Sequence, residues 1–199
     1  ESSSDWRAVV NRPDIDVVDI CTPNNVHAEI AIAAAKAGKH IICEKPLART
    51  VEEARAMHDA VKAAGVIHMV AFNYRRTPAV ALAKKYIEEG RIGRILNFRG
   101  TYLQDWSADP DSPLSWRFQK KIAGSGSVGD IATHVVDLAH YLVGPIAVVN
   151  AITTTYNKTR PLQQGGVDKL GAAEKAADAE RGEVDVDDEV VSMLKFEGG

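Results

Sequence analysis

The stretch IDVVDICTPNNVHAEIAIAAAKAGKHIICEKPLA, residues 15–48, decides the fold of this chain. It contains a short β-branched run, a helical run that stops at Gly38, and a second β-branched run. The pattern then repeats, with a helix that opens on a capping box of Thr50 and Glu53 and stops at Gly65. Alternation of this kind is typical of parallel strands joined by crossover helices. We therefore predict strands at 17–21, 40–43 and 66–72, and a first helix at 25–37.

The character of the sequence changes after Gly93. Residues 94–104 partly alternate between charged and apolar side chains, as in an antiparallel strand with one solvated face. We predict a helix that opens at Thr77, a loop at 105–123, a helix at 127–142, strands at 146–156 and 189–196, and a surface excursion at 160–183. We assign residues 1–75 to an α/β domain and residues 76–199 to an α+β domain. Since the strands are too few to close a sheet, we expect both ends of the chain to be cut.

Composition excludes several classes of protein. A formal charge of −3 and a pI near 6.1 leave no basic surface for nucleic acid or for anionic membranes. No apolar run approaches the roughly 20 residues that span a bilayer, and no signal peptide is recognisable, so we expect a cytoplasmic protein. The two cysteines, Cys21 and Cys43, are predicted to be buried free thiols. The histidines do not stand at metal-ligand spacing from cysteines or carboxylates, and we predict no metal.

Two segments follow predicted strands of the first domain, where doubly wound sheets bind their ligands. The first, residues 21–27, reads CTPNNVH and leads into a helix, whose free N–H groups favour anions. An ordinary turn with Asn24 or Asn25 as the N-cap explains it equally well. In the second, Glu44-Lys45-Pro46, the proline favours an extended Lys45 that projects into the ligand crevice. A solvated surface pair is the alternative.

The segment Gly124-Ser-Gly-Ser-Val-Gly-Asp130-Ile-Ala-Thr-His134 matches the dinucleotide pattern G-x-G-x-x-G literally. That pattern requires a preceding apolar strand and an acidic residue about 20 positions on, and neither is present. We therefore reject a nucleotide loop here. The segment leads instead into a helix that presents Asp130 and His134 at positions i and i+4. A carboxylate that orients an imidazole makes a competent proton acceptor, although a surface Asp-His pair gives the same spacing.

Taken in order, these segments resemble the glucose-fructose oxidoreductase / inositol dehydrogenase / rhizopine catabolism (Gfo/Idh/MocA) family. The likeness includes Thr22-Pro23-Asn24 with His27, Glu44-Lys45-Pro46, Phe72-Asn73-Tyr74-Arg75 and the glycine loop before Asp130 and His134. Tyr102 to Trp106, followed by Trp116-Arg117, is most similar to the sugar dehydrogenase branch that includes levoglucosan and related pyranose dehydrogenases. The family's glycine-rich first turn, and the residue that selects NAD or NADP, have no counterpart in the sequence.

The resemblance implies a partial Rossmann domain, followed by part of an α+β domain with a large open, mainly antiparallel sheet. It implies hydride transfer between NAD or NADP, with NAD favoured, and a hydroxyl carbon of a sugar or polyol. The implied roles are catalytic for Lys45, Asp130 and His134; cofactor-binding for Thr22, Pro23, Asn24, His27, Glu44, Lys45 and Arg117; and substrate-binding for Tyr74 and Gln104. It also implies a homo-oligomer, formed through the sheet of the second domain.

The resemblance leaves two interpretations of function, and a structural or partner-binding fragment that lacks the phosphate loop and binds no cofactor is a third. In the first, His134, oriented by Asp130, takes the proton of the substrate hydroxyl while Lys45 stabilises the alkoxide. In the second, the chain belongs to a non-catalytic dinucleotide-binding regulator of the same family. Such regulators commonly lose the lysine or the histidine, and both are present here.

Overall fold

The computed structural model describes residues 2–162 and 179–198. They form two units. The first contains the residues up to Ala71 together with Lys120–Gly124, and the second contains Phe72–Gln119 and the residues from Ser125 onward. The assignment of 1–75 and 76–199 to two domains stays a prediction, and the sequence does not foresee that Lys120–Gly124 belongs to the first unit.

The first unit is built on a parallel three-stranded sheet, as predicted. Its strands are β1 (Val17–Ile20), β2 (His40–Cys43) and β3 (His68–Val70), in the order β1-β2-β3. The register pairs Ile20 with Cys43 and Cys43 with Val70, which brings the carboxyl ends of the three strands to one edge. The helices are α1 (Trp6–Val10), α2 (His27–Lys36), α3 (Val51–Ala64) and α5 (Lys120–Ala123). The buried core includes Ile20, Ile30, Ala34, Ile41, Met57 and Val61.

Helix α3 confirms the predicted cap. The Thr50 side chain accepts a hydrogen bond from the Glu53 N–H, and the helix ends at Gly65 with φ +67°, in the left-handed region that glycine tolerates. The Glu53 carboxylate accepts from the Arg49 N–H at 3.0 Å, and the Arg49 guanidinium donates to the Lys121 carbonyl at 2.6 Å. Arg49 therefore ties α5 to the start of α3.

The second unit contains antiparallel pairs and helices. The helices are α4 (Pro78–Glu88) and α6 (Thr133–Leu142), and the strands are β4 (Ile146–Thr154), β5 (Thr159–Pro161), β6 (Arg181–Glu183) and β7 (Glu189–Phe196). β4 pairs with β7, and β5 pairs with β6. The predicted strands at 146–156 and 189–196 are thus confirmed, the first of them ending at Thr154. Most of the predicted excursion, residues 163–178, lies outside the described residues.

One strand prediction is wrong. Residues 94–104 form no strand, and no described strand pairs with them. A strand needs the backbone hydrogen bonds of a neighbour, so an alternating pattern alone does not produce one. The segment lies instead against α6, because a Cβ added to Gly100 would come within 2.4 Å of Val135 Cγ1.

The helix predicted at 127–142 has two parts. Residues Val128–Ala132 form a π-helical turn, and α6 continues from Thr133. Single π turns within helices are frequent at functional sites. This one carries Asp130 and ends two residues before His134.

The prediction that both cysteines are buried is confirmed for only one of them. Both are free thiols, but Cys21 is exposed and only Cys43 is buried. β1 ends at Ile20, one residue earlier than predicted, so Cys21 lies beyond the sheet.

In the described parts of the chain, no helix is long and apolar enough to cross a bilayer.

Candidate active site

In the first unit, the segment Thr22-Pro23 joins the end of β1 to a 3₁₀ turn, Asn24–Val26, and then to α2. The Thr22 hydroxyl oxygen is buried and has no hydrogen-bond partner among the described residues. A buried hydroxyl without a partner costs free energy, so such groups call for an explanation. Thr22 stands at the edge where parallel sheets bind their ligands.

His27 connects two of the predicted segments. Its side chain is fully buried, and its ring nitrogens lie 2.8 Å from the Thr22 carbonyl oxygen and 3.1 Å from the Pro46 carbonyl oxygen. The imidazole therefore links the turn after β1 to the segment after β2. This geometry favours an indirect part in cofactor binding, in which His27 fixes the positions of Thr22 and Pro46.

Asn24 is also buried, and its amide nitrogen donates to the Ala123 carbonyl at 2.8 Å. Since Ala123 is the last residue of α5, this bond holds α5 against the turn after β1. Arg49 holds the same short helix from the start of α3. The Asn24 side chain thus has a structural function in addition to the predicted cofactor role, which stays a prediction.

Glu44 and Lys45 follow β2 directly and are half-buried. The Glu44 N–H donates to the Ile20 carbonyl at 2.9 Å and thereby extends the pairing with β1. The Glu44 carboxylate accepts from the Lys45 N–H at 3.0 Å, and the Lys45–Pro46 peptide bond is cis. Both residues are half-buried, whereas the alternative that the sequence left open is a solvated surface pair.

In the second unit, His134 is enclosed by aromatic rings. It is buried, and its ring stacks on Tyr74 with 4.3 Å between centroids and an interplanar angle of 28°. Phe72 approaches edge-on with its centroid 6.1 Å away, and Tyr102 lies at 6.0 Å. The rings limit the orientations open to the imidazole, which is what a group that accepts a proton from a defined atom requires. A surface Asp-His pair is thereby excluded, because His134 is buried.

Tyr74, Tyr102 and Gln104 form a hydrogen-bonded chain. The Tyr74 and Tyr102 hydroxyl oxygens lie 2.6 Å apart, and the Gln104 amide donates to the Tyr102 hydroxyl at 2.7 Å. The bond to Tyr102, burial, and the negative charge of Asp130 together raise the pKa of Tyr74, so its hydroxyl stays protonated near neutral pH. The structure therefore brings together both predicted substrate residues, and it adds Tyr102, to which the sequence assigned no role.

An ion pair fixes the same cluster. Arg75 donates from Nε and Nη2 to the two carboxylate oxygens of Asp137, with 2.7 Å for the first bond. Asp137 is buried and lies one turn after His134 on α6. The pair therefore holds the turn that carries Tyr74 against the helix that carries His134. Sequence reasoning missed it, although Arg75 directly follows Tyr74.

A cavity of about 440 Å³ lies within the second unit. Three residues predicted for the site, Gln104, Arg117 and Asp130, line it. Trp106 and Ser107 form part of the wall, on a loop held by the fully buried Arg160, which donates to the Ser107 and Asp109 carbonyls. Arg160 also lies over the Phe118 ring, 4.1 Å from its centroid.

The glycine segment before Asp130 differs from a nucleotide loop, in agreement with the sequence analysis. The element that precedes it is the helix α5, whereas the dinucleotide fingerprint follows a strand. Gly124 adopts φ +87°, where other residues are strained. Gly124 is therefore explained by the backbone conformation of the segment, without a nucleotide.

Comparison with known families agrees with this arrangement. The family model described as "Oxidoreductase family, NAD-binding Rossmann fold" matches residues 1–72, and that of the "GFO/IDH/MocA C-terminal domain" matches residues 80–199. The chain belongs to the Gfo/Idh/MocA family. The family prediction made from the ordered motifs is thus confirmed, and so is the fold class, a Rossmann-type parallel sheet followed by antiparallel strands.

Several individual members of the Gfo/Idh/MocA family are strongly similar to this chain. Levoglucosan dehydrogenase of Pseudarthrobacter phenanthrenivorans is 70% identical over 100% of this chain and 50% of its own length. The NAD⁺-dependent scyllo-inositol 2-dehydrogenase of Bacillus subtilis is 37% identical over 84% of this chain and 47% of its own length. A structure of levoglucosan dehydrogenase in complex with NADH and L-sorbose superposes with a TM-score of 0.92 at 68% identity, covering 100% of this chain and 50% of that one. The chain spans about half the length of these relatives.

Proposed function

We propose that this chain is part of an NAD-dependent dehydrogenase that oxidises a hydroxyl carbon of a pyranose, of the class that includes levoglucosan. The proposal rests on identity of 70% to a levoglucosan dehydrogenase along the whole chain, and on relatives named as inositol and xylose dehydrogenases. NAD is favoured over NADP because solved relatives hold NADH. A cytoplasmic location, where the NAD pool lies, and a homo-oligomer formed through the second domain's sheet belong to the same proposal.

The structural observation that carries the proposal is the enclosure of His134. Its imidazole stacks on Tyr74, and Tyr74 is hydrogen-bonded to Tyr102, which accepts from Gln104. Only one of the two hydroxyl protons is used in the bond between Tyr74 and Tyr102, so the other is free to bind a substrate hydroxyl. An oriented proton acceptor beside a chain of hydroxyl and amide groups suits a polyhydroxylated substrate.

The first unit fits a nicotinamide dinucleotide. The buried Thr22 hydroxyl, which has no partner in the described chain, and the ordered Glu44 and Lys45 stand at the edge where doubly wound sheets bind dinucleotides. The residues that we assign to holding the cofactor are Thr22, Pro23, Asn24, Glu44, Lys45 and Arg117, with His27 acting through Thr22 and Pro46. When bound, the nicotinamide supplies the acceptor for hydride.

The chain's own residues handle the proton and the charge. His134 accepts the proton of the substrate hydroxyl, and Asp130 favours the imidazolium that results. Lys45 stabilises the negative charge that develops on the same oxygen. A general base contributes about a hundred- to ten-thousandfold to the rate, and one preorganised charge about a hundred- to a thousandfold.

The test is a turnover assay with the full-length protein. Reduction of NAD and of NADP is followed spectrophotometrically with levoglucosan, L-sorbose, other pyranoses and inositols, and cofactor binding is measured by calorimetry. We expect turnover of levoglucosan or a related pyranose with NAD, and a loss of turnover in His134→Ala. Cofactor binding without turnover of any of these compounds would establish the regulator instead.

A further inference from the structure

Asp187 makes an unusually complete set of bonds to the glycine segment. Its carboxylate accepts from the Gly126 N–H at 2.9 Å, from the Ser127 hydroxyl at 2.8 Å and from the Val128 N–H at 2.7 Å. Its backbone carbonyl accepts from the Ser127 N–H at 2.9 Å. One residue therefore satisfies three consecutive N–H groups at the start of a helical segment, groups that have no partner within the helix.

Gly126 makes this approach possible. A Cβ at that position would lie 1.9 Å from the Asp187 carbonyl oxygen, a distance that atoms do not tolerate. The glycine thus permits the backbones of residues 126 and 187 to meet. This contact explains why a glycine stands at position 126, in a segment that matches the dinucleotide pattern G-x-G-x-x-G.

The segment that Asp187 holds is the one that carries the proposed chemistry. The π turn begins at Val128, Asp130 lies within it, and His134 follows in α6. The Asp130 N–H donates to the Gly126 carbonyl at 3.0 Å, so the backbone around Asp130 is bonded directly to the residue that Asp187 fixes. Any shift at residues 126–128 is passed to Asp130 through this bond.

We propose that Asp187 is a positioning residue for the Asp130–His134 pair, acting through the backbone of residues 126–128. The inference rests on the proposed function, since it assigns to Asp187 an effect on proton transfer. Misplacement of a catalytic group by about 1 Å can lower the rate by about a hundredfold. Loss of the Asp187 bonds therefore lowers kcat, while the affinity for the cofactor stays unchanged.

Asp188 supplies a matched control. It is the next residue, and its carboxylate also accepts from two backbone N–H groups, those of Tyr156 at 2.7 Å and Asn157 at 2.9 Å. These partners lie after β4, away from the glycine segment in sequence. Asp188→Ala thus removes a comparable set of bonds without touching residues 126–128.

The experiment compares Asp187→Ala, Asp187→Asn and Asp188→Ala in the full-length enzyme, with levoglucosan and NAD. Thermal midpoint, cofactor Kd, KM, kcat and the pH profile of kcat/KM are measured for each. We expect Asp187→Ala to lower kcat at least tenfold and to move the acidic limb of the profile as Asp130→Asn does. Asp187→Asn keeps one acceptor oxygen and should lie between Asp187→Ala and the parent enzyme. Asp188 also lines the cavity, so Asp188→Ala should lower kcat less than Asp187→Ala does and leave the acidic limb of the profile in place.

A double variant separates positioning from general stability. If Asp187 acts through Asp130, then Asp187→Ala combined with Asp130→Asn lowers kcat little more than the stronger single change, because effects through one group are not additive. Equal kcat values for Asp187→Ala and Asp188→Ala would overturn the inference, as would multiplicative effects in the double variant. If Asp187→Ala does not fold, the same comparison is made with Asp187→Asn and with Ser127→Ala, which removes a single bond. A parent enzyme that turns over none of the sugars contradicts the proposed function itself. An active parent, an inactive His134→Ala enzyme and fully active Asp187 variants together contradict only the positioning role.

Discussion

Tyr74 and His134 stack with 4.3 Å between their ring centroids. The contact joins a residue predicted to bind substrate to the predicted proton acceptor, 60 positions apart in the chain. Tyr74 therefore has two functions. Its ring supports the imidazole of His134, and its hydroxyl is hydrogen-bonded to Tyr102.

Changes at Tyr74 should distinguish these functions. Tyr74→Phe keeps the stacked ring and removes the hydroxyl, so we expect KM for the sugar to rise about fivefold, as loss of a hydrogen bond worth about 1 kcal/mol implies, with kcat little changed. Tyr74→Ala removes the support of His134 as well and should lower kcat. Steady-state kinetics of both variants measure the difference. Equal kcat in the two variants would show that the ring does not orient His134.

Removal of the two principal groups should abolish most of the activity. We expect His134→Ala and Lys45→Ala each to lower kcat about a hundredfold or more, because one removes the proton acceptor and the other the charge that stabilises the alkoxide. Cofactor affinity, measured by calorimetry, should change little for His134→Ala. Near-parent turnover by His134→Ala at neutral pH would make Lys45 the candidate base.

Asp130→Asn should cost less than His134→Ala and should change the pH dependence. A nearby carboxylate favours the imidazolium form of a histidine, so its removal moves the acidic limb of the kcat/KM profile to lower pH. The measurement is kcat/KM across about pH 5 to 9. An unshifted profile would indicate that Asp130 does not act on His134.

The Arg75–Asp137 pair should contribute to stability. Asp137 is buried, whereas about 40% of the Arg75 side chain is exposed. Arg75→Met leaves a buried carboxylate without its partner, and we expect a loss of about 1–3 kcal/mol in the free energy of unfolding. Asp137→Leu in the same background should recover part of that loss, since no charge then remains buried. Denaturant titrations of the single and double variants provide the values.

The two thiols should differ in reactivity. Burial, with the negative charge of Glu44 adding to it, raises the pKa of Cys43 to about 12 from 9.0, so its reactive thiolate is rare near neutral pH. Cys21 is exposed, although burial of part of its thiol and nearby Asp19 raise its pKa as well. We expect iodoacetamide at about pH 8 to modify Cys21 slowly and Cys43 only after unfolding, as mass spectrometry of the peptides would show. Modification of Cys43 in the native protein would contradict its burial.

The sequence by itself determined the parallel sheet, the order of its helices and the family. Each of these depends on local patterns: short β-branched runs, the cap of Thr50 on Glu53, and glycines that end helices. The same patterns placed Lys45 at a strand end and His134 on a helix. They failed at 94–104, because a strand exists only with a partner, and at Cys21, because burial depends on where β1 ends.

Only the tertiary structure decided how the site is held together. Asp187 stands in the acidic run DVDDE, to which the sequence analysis assigned no role, and yet it fixes a turn about 60 residues earlier in the chain. Arg75 and Asp137 are likewise 62 positions apart. A local pattern records which face of an element is apolar, but it does not record which distant donor meets which acceptor. That pairing follows from packing, and it is packing that orients His134.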